Sequence, residues 1–307
     1  MHYRSQRRMV CKARAGAFAF RFRFAHVVIF LAALTCFSQS VQASAKNHHR
    51  QKFHPVQPVS VSDDVLPSPE IDLRVEIEVA TAKQILDNLD SNNFLASPYL
   101  VSAIYYHDDF LTDFPVELST AEPGARIVGR ISRMLTPEVK ARFVSLLQEI
   151  WTTAKPEEPA QFVVPVDYLW LGVGPRAHQD ALDMFTPEGT SVYSATRGVV
   201  ILADSDWSPD DPFSTASRKG GNAVIVFDPD NYHFYRYAHL STVSIYVGEI
   251  VLPGQMIGSV GHTGLNASQP GHGNHLHFEI NEYLYGHVRA MGNGELSNMV
   301  QSWRITP

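Results

Sequence analysis

The stretch GNHLHFEIN, residues 273–281, sets two histidines one residue apart inside an apolar alternation. In a β-strand successive side chains point to opposite faces. His275, His277 and Glu279 therefore share one face, and Leu276, Phe278 and Ile280 supply a core on the other. Two histidines on one strand face stand ~6.5–7 Å apart by strand rise. At that spacing one ring can hold a metal while its neighbour stands over the metal's open coordination position.

The sequence around this stretch has the same texture. From 162 onward short apolar runs alternate with glycine turns: TSVYSA, GVVILAD, NAVIVFD, HFYRYAHL, QMIGSVG and HLHFEIN. FDPDNYHF reads as a hairpin loop joining two of them. No helix of length is expected after 162, so an antiparallel all-β domain is expected over 162–290, with 291–307 as a C-terminal tail. Within YRYAHL, strand alternation places His239 on one face with Tyr235 and Tyr237. RAHQDALDMFTPEGTSV offers His178, Asp180 and Asp183. One histidine, one carboxylate and a second histidine make a three-ligand site with a fourth position open for water, the catalytic arrangement for zinc. His233, His262, His272 and His287 read as surface or loop residues.

Residues 71–153 have a different pattern. SPYLVSAIYYHDDF places Ser97 as N-cap and Pro98 at the first helical position, and TPEVKARFVSLLQEIW repeats the device with Thr136 and Pro137. In the second, Val139, Phe143, Leu146, Leu147, Ile150 and Trp151 fall on one helical face, which is a core face and not a cofactor box. This region is read as a smaller, mainly helical or mixed N-terminal region without recognisable chemistry. AKPEEPAQ, 154–161, reads as a hinge. The fold class is α+β.

The start of the chain differs in kind. Residues 1–26 carry seven Arg or Lys and no acidic residue, followed by the apolar run VVIFLAALTCF (27–37). That run is too short for a bilayer span, which takes roughly 20 residues. Ala43-Ser44-Ala45 matches a signal-peptidase site, so 1–45 reads as an export signal and 46–70 as a flexible linker. His48, His49 and His54 fall in the linker as solvated residues. ALTC before Cys36 lacks the small residue that a lipoprotein signal places ahead of its cysteine. Removing 1–45 takes away seven basic residues and both cysteines, Cys11 and Cys36, leaving 18 Lys or Arg against 31 Asp or Glu, a net charge of -13. Such acidity argues against nucleic acid and against electrostatic attraction to an anionic membrane or wall polymer. No membrane span is expected after signal cleavage, and the location is the periplasm or cell envelope.

Three strings, ALDMFTPEGTSVYSATRGVVI, YAHLSTVSIYVGEIVLPGQMIGSVGHTG and HLHFEI, occur in this order over about 162–290. In order and context they resemble the lysostaphin-type (LytM-like) zinc metallopeptidases, which cut peptide bonds in bacterial cell-wall peptidoglycan. The resemblance implies a LytM-like fold for 162–290 and a Zn2+ cofactor held by His178, Asp183 and His277. It also implies His275 as general base and His239 as the residue that stabilises the developing oxyanion. The implied function is zinc-dependent endopeptidase action on peptidoglycan stem peptides or cross-links. One departure stands out. The family's first motif runs four positions from His to Asp, whereas His178 to Asp183 is five, with Gln179 at the expected place. Odd spacing needs a bulge or a loop to bring both ligands to one side. Asp180 has the right parity, and Asp183 has the family's turn after it.

Two other readings bear on these strings. VGEIVLPGQMIGSVG also resembles the small barrels that carry lipoyl or biotinyl groups, but those need a lysine and the last lysine here is Lys219. Some members of the family have lost zinc ligands and act as binding modules that activate another cell-wall hydrolase. The presence of all five residues favours the peptidase. Residues 71–153 have two candidate uses, a cover over the cleft or a docking surface for an envelope protein.

Overall fold

The computed structural model describes residues 73–91, 93–105, 123–157, 161–172, 179–210 and 219–303. The export signal 1–45, the linker 46–70 and His178 lie outside the described residues. The N-terminal part is helical throughout its described residues: α1 (Leu73–Asp87), a 3-10 turn (Phe94–Ala96), α2 (Pro98–Tyr105), α3 (Pro123–Met134) and α4 (Pro137–Ala154). The two expected caps are present. Ser97 Oγ accepts from the Leu100 N–H at 3.4 Å and Thr136 Oγ1 from the Val139 N–H at 3.3 Å, the side-chain capping of first-turn donors that these residue types provide.

The strands follow: β1 (Trp170–Gly172), β2 (Leu182–Phe185), β3 (Ser191–Tyr193), β4 (Gly198–Asp204), β5 (Ala223–Asp228), β6 (His233–Ala238), β7 (Leu240–Val243), β8 (Ile250–Val251), β9 (Met256–Val260), β10 (His275–Leu284) and β11 (His287–Ala290). An 8-stranded sheet has the order β1-β2-β10-β6-β5-β4-β8, with β11 also paired to β10, and β3-β9-β7 form a 3-stranded sheet. All pairs are antiparallel.

The large sheet is the middle of three layers, because both its faces are apolar. Along β4 and β5, Val199, Ile201, Ile225 and Phe227 face the helices and pack against Leu100, Ile104, Phe143, Leu147 and Trp151. Val200, Val224 and Val226 face the other way, onto Val192, Leu240, Ile257 and Val260 of the small sheet. A strand buried on both faces reads as a continuous apolar run, which is why GVVILAD and NAVIVFD show so little polar alternation. The end of α4 is pinned to the β5–β6 turn through Asp230, which accepts from Trp151 Nε1 at 3.2 Å, Lys155 Nζ at 2.6 Å and Arg197 Nη2 at 2.7 Å. Residues 154–161 thus connect a helical layer and a sheet that share one core.

The chain beyond 290 differs from expectation. Instead of a plain tail, Asn293–Ser302 form a helix, α5. Leu296 and Val300 are buried in the second core, with Met299 and Trp303 packed against it. These four residues follow the helical i, i+3, i+4, i+7 spacing, but Gly292 and Gly294 at the start hide it. The short strands β1, β2, β8 and β11 also carry too few residues for alternation to show.

A fragment starting at Gln161 would bare the helix-facing side of β4 and β5. Exposed apolar patches of this kind drive association, so such a fragment is expected to aggregate or to bind a hydrophobic dye in sedimentation and fluorescence assays. A monodisperse, dye-silent fragment would show that the sheet does not need its helical layer.

Candidate metal centre

The register of β10 assembles the site. His277 lies directly opposite Asp183 of β2, and His275 opposite Phe185. Directly opposed residues share a face and stand close enough to touch. Asp183 Oδ1 is accordingly 2.9 Å from His277 Nδ1 and 3.7 Å from His275 Nε2. Gly172 of β1 is the next residue in this row, opposite Asp183. A Cβ on Gly172 would stand 3.1 Å from the Asp183 Cβ and 3.0 Å from Phe185 Cε2. Any side chain there crowds the carboxylate.

His239 reaches the same place by another route. Alternation assigns it to the face of Tyr235 and Tyr237, and that expectation is corrected. Both tyrosines pack in the core on the far side of the sheet. β6 ends at Ala238, and His239 takes a left-handed backbone with φ 63°. That conformation costs a non-glycine residue about 1–3 kcal/mol. It breaks the alternation at the corner where the chain leaves the large sheet for the small one, and it turns the imidazole to the histidine side. The ring centre of His239 is 4.8 Å from that of His275 and 5.5 Å from that of His277. The corner is held by Gly220 O accepting from His239 N–H at 2.9 Å and by His239 O accepting from Gly261 N–H at 2.9 Å.

His239, His275 and His277 offer ring nitrogens all within 4.8 Å of one another, the one cluster of three metal-ligating side chains among the described residues. Asp183 and His277, 2.9 Å apart, offer a carboxylate oxygen and an imidazole nitrogen, donors of the kind zinc takes, and His239 and His275 stand beside them. The chain's residues therefore fit a zinc ion. Asp180, the carboxylate with the right parity, is exposed ahead of β2. Strand structure starts only at Leu182, so strand parity places no constraint on the spacing from 178 to 183. His262, His272 and His287 are exposed and His233 is half-buried, as expected of surface and loop positions.

The hydrogen bonds fix the ring tautomers. A carbonyl can only accept, so His239 Nδ1 carries its proton toward Thr263 O at 2.7 Å and His275 Nδ1 toward Gly273 O at 3.0 Å. In their neutral forms both rings are left with a lone pair on Nε2. Burial, with the neighbouring His277 and His275 rings, lowers the His239 pKa to about 2, and burial also lowers that of His275. His277 goes the other way. Burial alone would lower it, but the hydrogen bonds to Asp183 and to Glu279 Oε1, at 2.5 Å from Nε2, raise it to about 9. Glu279 is pulled well below the usual carboxylate range despite its burial, chiefly by Arg236, whose Nη1 lies 2.6 Å away.

Residues 177–295 match Peptidase family M23. This stretch is an M23 peptidase domain. Among the relatives of the M23 domain, lysostaphin of Staphylococcus simulans is 31% identical over 109 residues, 36% of this chain and 19% of lysostaphin. Peptidoglycan DD-endopeptidase ShyA of Vibrio cholerae is 33% identical over 104 residues, 34% of this chain and 20% of that protein. The chain thus spans about a fifth of the length of these relatives. A solved catalytic domain of lysostaphin from Staphylococcus simulans aligns at 23% identity over 51% of this chain and 98% of that one, with a TM-score of 0.31.

Three participants had no separate role in the sequence reading. Arg236 alternates onto the histidine face between two inward tyrosines, and its charge inside an apolar strand is a signal that a buried acid lies nearby. Thr263 and the Phe185–Trp170 stack (3.7 Å between centres, 5° between planes) beside His275 carry no such signal.

The M23 domain's metal-free stability should depend on pH in a defined way. His277 has a folded pKa above its ordinary value, so its contribution is complete below about pH 6.5 and is lost as pH rises through about 9. His239 and His275 have lowered values and act oppositely, costing stability as pH falls below about 6.5. Thermal melts of the chelator-treated protein are expected to be highest near neutrality and to fall toward pH 9, whereas a zinc-loaded protein should lack the alkaline fall if His277 gives up its Nδ1 proton on binding the metal. An alkaline fall of equal size in both forms would contradict the ring assignment.

Proposed function

We propose that the M23 domain is a zinc-dependent endopeptidase that cuts peptide bonds in bacterial peptidoglycan, and that the chain is exported to the periplasm or cell envelope. The observation that carries this reading is the convergence of Asp183, His239, His275 and His277 at one end of β10, within residues matching the M23 family. Two relatives, lysostaphin and a peptidoglycan DD-endopeptidase, support the substrate class. The basic start, short apolar run and A-x-A site of the sequence support export.

In the proposed ligand set His277 and Asp183 hold zinc together with His178. When bound, zinc would polarise the scissile carbonyl and lower the pKa of a coordinated water. His275 is the general base. Its Nε2 lone pair faces the site, and Asp183 Oδ1 at 3.7 Å stabilises the imidazolium formed when it takes the water's proton. Nε2 can then return this proton to the leaving amine. His239 is better suited to accepting a hydrogen bond than to donating one to an oxyanion. Its only proton is committed to Thr263 O, and burial beside two other imidazoles opposes a second. In this reading His239 orients the attacking water through its Nε2 lone pair. The exposed Trp170 on Phe185 forms a wall beside His275, suited to excluding water and positioning the substrate chain.

The alternative, a non-enzymatic module that activates another hydrolase, needs no ordered base, and the fixed tautomers of His239 and His275 favour the enzyme over it. Purified peptidoglycan digested with the full chain, with products identified by mass spectrometry, tests the proposal. The wild type is expected to contain stoichiometric zinc and to release peptide fragments. His277→Ala should lose both zinc and activity, whereas His275→Ala should keep zinc and fall about 10²–10⁴-fold in rate. Stoichiometric zinc without new peptide termini would favour the regulatory module.

A further inference from the structure

A side chain from outside the M23 match reaches the metal centre. Tyr105 ends α2, in the helical layer, and is 1% exposed. Its hydroxyl donates to Glu279 Oε2 at 2.7 Å, and its ring meets Phe234 edge-on at 6.1 Å. The other oxygen, Oε1, accepts from Arg236 Nη1 at 2.6 Å and stands 2.5 Å from His277 Nε2. Arg236 and Glu279 are cross-strand partners on β6 and β10, so they meet by register alone. Tyr105 comes from 174 residues away in sequence, and only the packing of the helical layer brings it there.

Both oxygens of Glu279 are hydrogen-bonded, which restrains the plane of the carboxylate. Arg236 and His277 both bond Oε1. The Tyr105 bond grips Oε2, so the carboxylate is held at both oxygens and not at one. A carboxylate fixed in this way fixes its histidine, because an imidazole that gives its Nε2–H to a static acceptor presents the Nδ1 lone pair in a set direction. Nδ1 of His277 is the atom that faces Asp183. Partners of this kind orient metal-ligating histidines, and losing one typically costs about 10–100-fold in metal affinity or activity.

We propose that Tyr105 is a positioning residue of the metal centre: by fixing Glu279 it sets the ring and tautomer of His277, which makes the helical layer a working part of the site and not a detachable cover. This inference rests on the reading of the site as a metal centre. It also gives residues outside 177–295 a role in the reaction.

The test compares full-length wild type with Tyr105→Phe, which keeps the ring against Phe234 and removes only the hydroxyl. Zinc affinity is measured by competition with a chromophoric chelator, and the site is also loaded with cobalt(II) for its visible absorption spectrum. Tyr105→Phe is expected to fold as wild type by circular dichroism, to bind zinc about 10-fold more weakly and to show shifted cobalt bands. Glu279→Gln should weaken zinc binding further. Equal affinity with an unchanged cobalt spectrum would overturn the inference while leaving the metal centre intact. Higher peptidase activity at unchanged affinity would overturn it in favour of an inhibitory cover. A wild type that takes up no stoichiometric metal would overturn both readings. Nitrogen-15 NMR of zinc-loaded wild type provides a check independent of any variant: the His277 ring should carry its proton on Nε2, and a proton on Nδ1 would refute the proposal.

Discussion

The ring of His277 is clamped between two carboxylates, Asp183 at Nδ1 and Glu279 at Nε2, all in a setting from which water is largely removed. Much of the surrounding architecture follows from keeping those two acids in place. A buried carboxylate without a partner is costly, and breaking a buried pair by removing one member costs about 3–5 kcal/mol. Glu279 therefore needs Arg236 and Tyr105, and Asp183 needs His277 itself. Such a pair adds little net stability over an apolar pair of the same shape. Its value here is geometric, because it aims one nitrogen of one ring.

The three-layer fold reconciles this polar cluster with the apolar packing around it. β10 has one face in the core formed with the small sheet and α5, through Leu276, Phe278 and Ile280. Its other face carries His275, His277 and Glu279, flanked by the core that the helices make with β4, β5 and β6. The strand can thus be rigidly packed from behind while it presents chemistry in front. His239 completes the cluster from a backbone corner, which is strained but held by hydrogen bonds to Gly220 and Gly261. Rigidity of this sort keeps reacting groups in place without reorganisation during the reaction.

The parts of this arrangement legible in the sequence are those with a local signal. The two-residue period of HLHFEIN placed His275, His277 and Glu279 on one face and their neighbours in the core, and the proline-led helices announced their own caps. The FDPDNYHF turn and the strands on either side of it were equally plain. What strand periodicity could not show is a residue that leaves the strand, and the φ of 63° at His239 reversed its expected face. The five-residue interval from His178 to Asp183 looked awkward only on the assumption that 179–181 were strand. The tie from Tyr105 to Glu279 had no local signal at all, since a partner 174 residues away is chosen by packing. The helix at 293–302 was obscured by its own glycines.

The central proposal is that His178, Asp183 and His277 hold a metal while His275 and His239 stand beside it as unligated bases. Anomalous diffraction at the zinc edge, on crystals of the zinc-loaded protein, tests it most directly. The account expects a single strong peak bonded to His277 Nδ1, an Asp183 carboxylate oxygen and His178, with His239 and His275 outside coordination distance. A peak bonded to His239, His275 and His277 together, or no peak near β10, would contradict it.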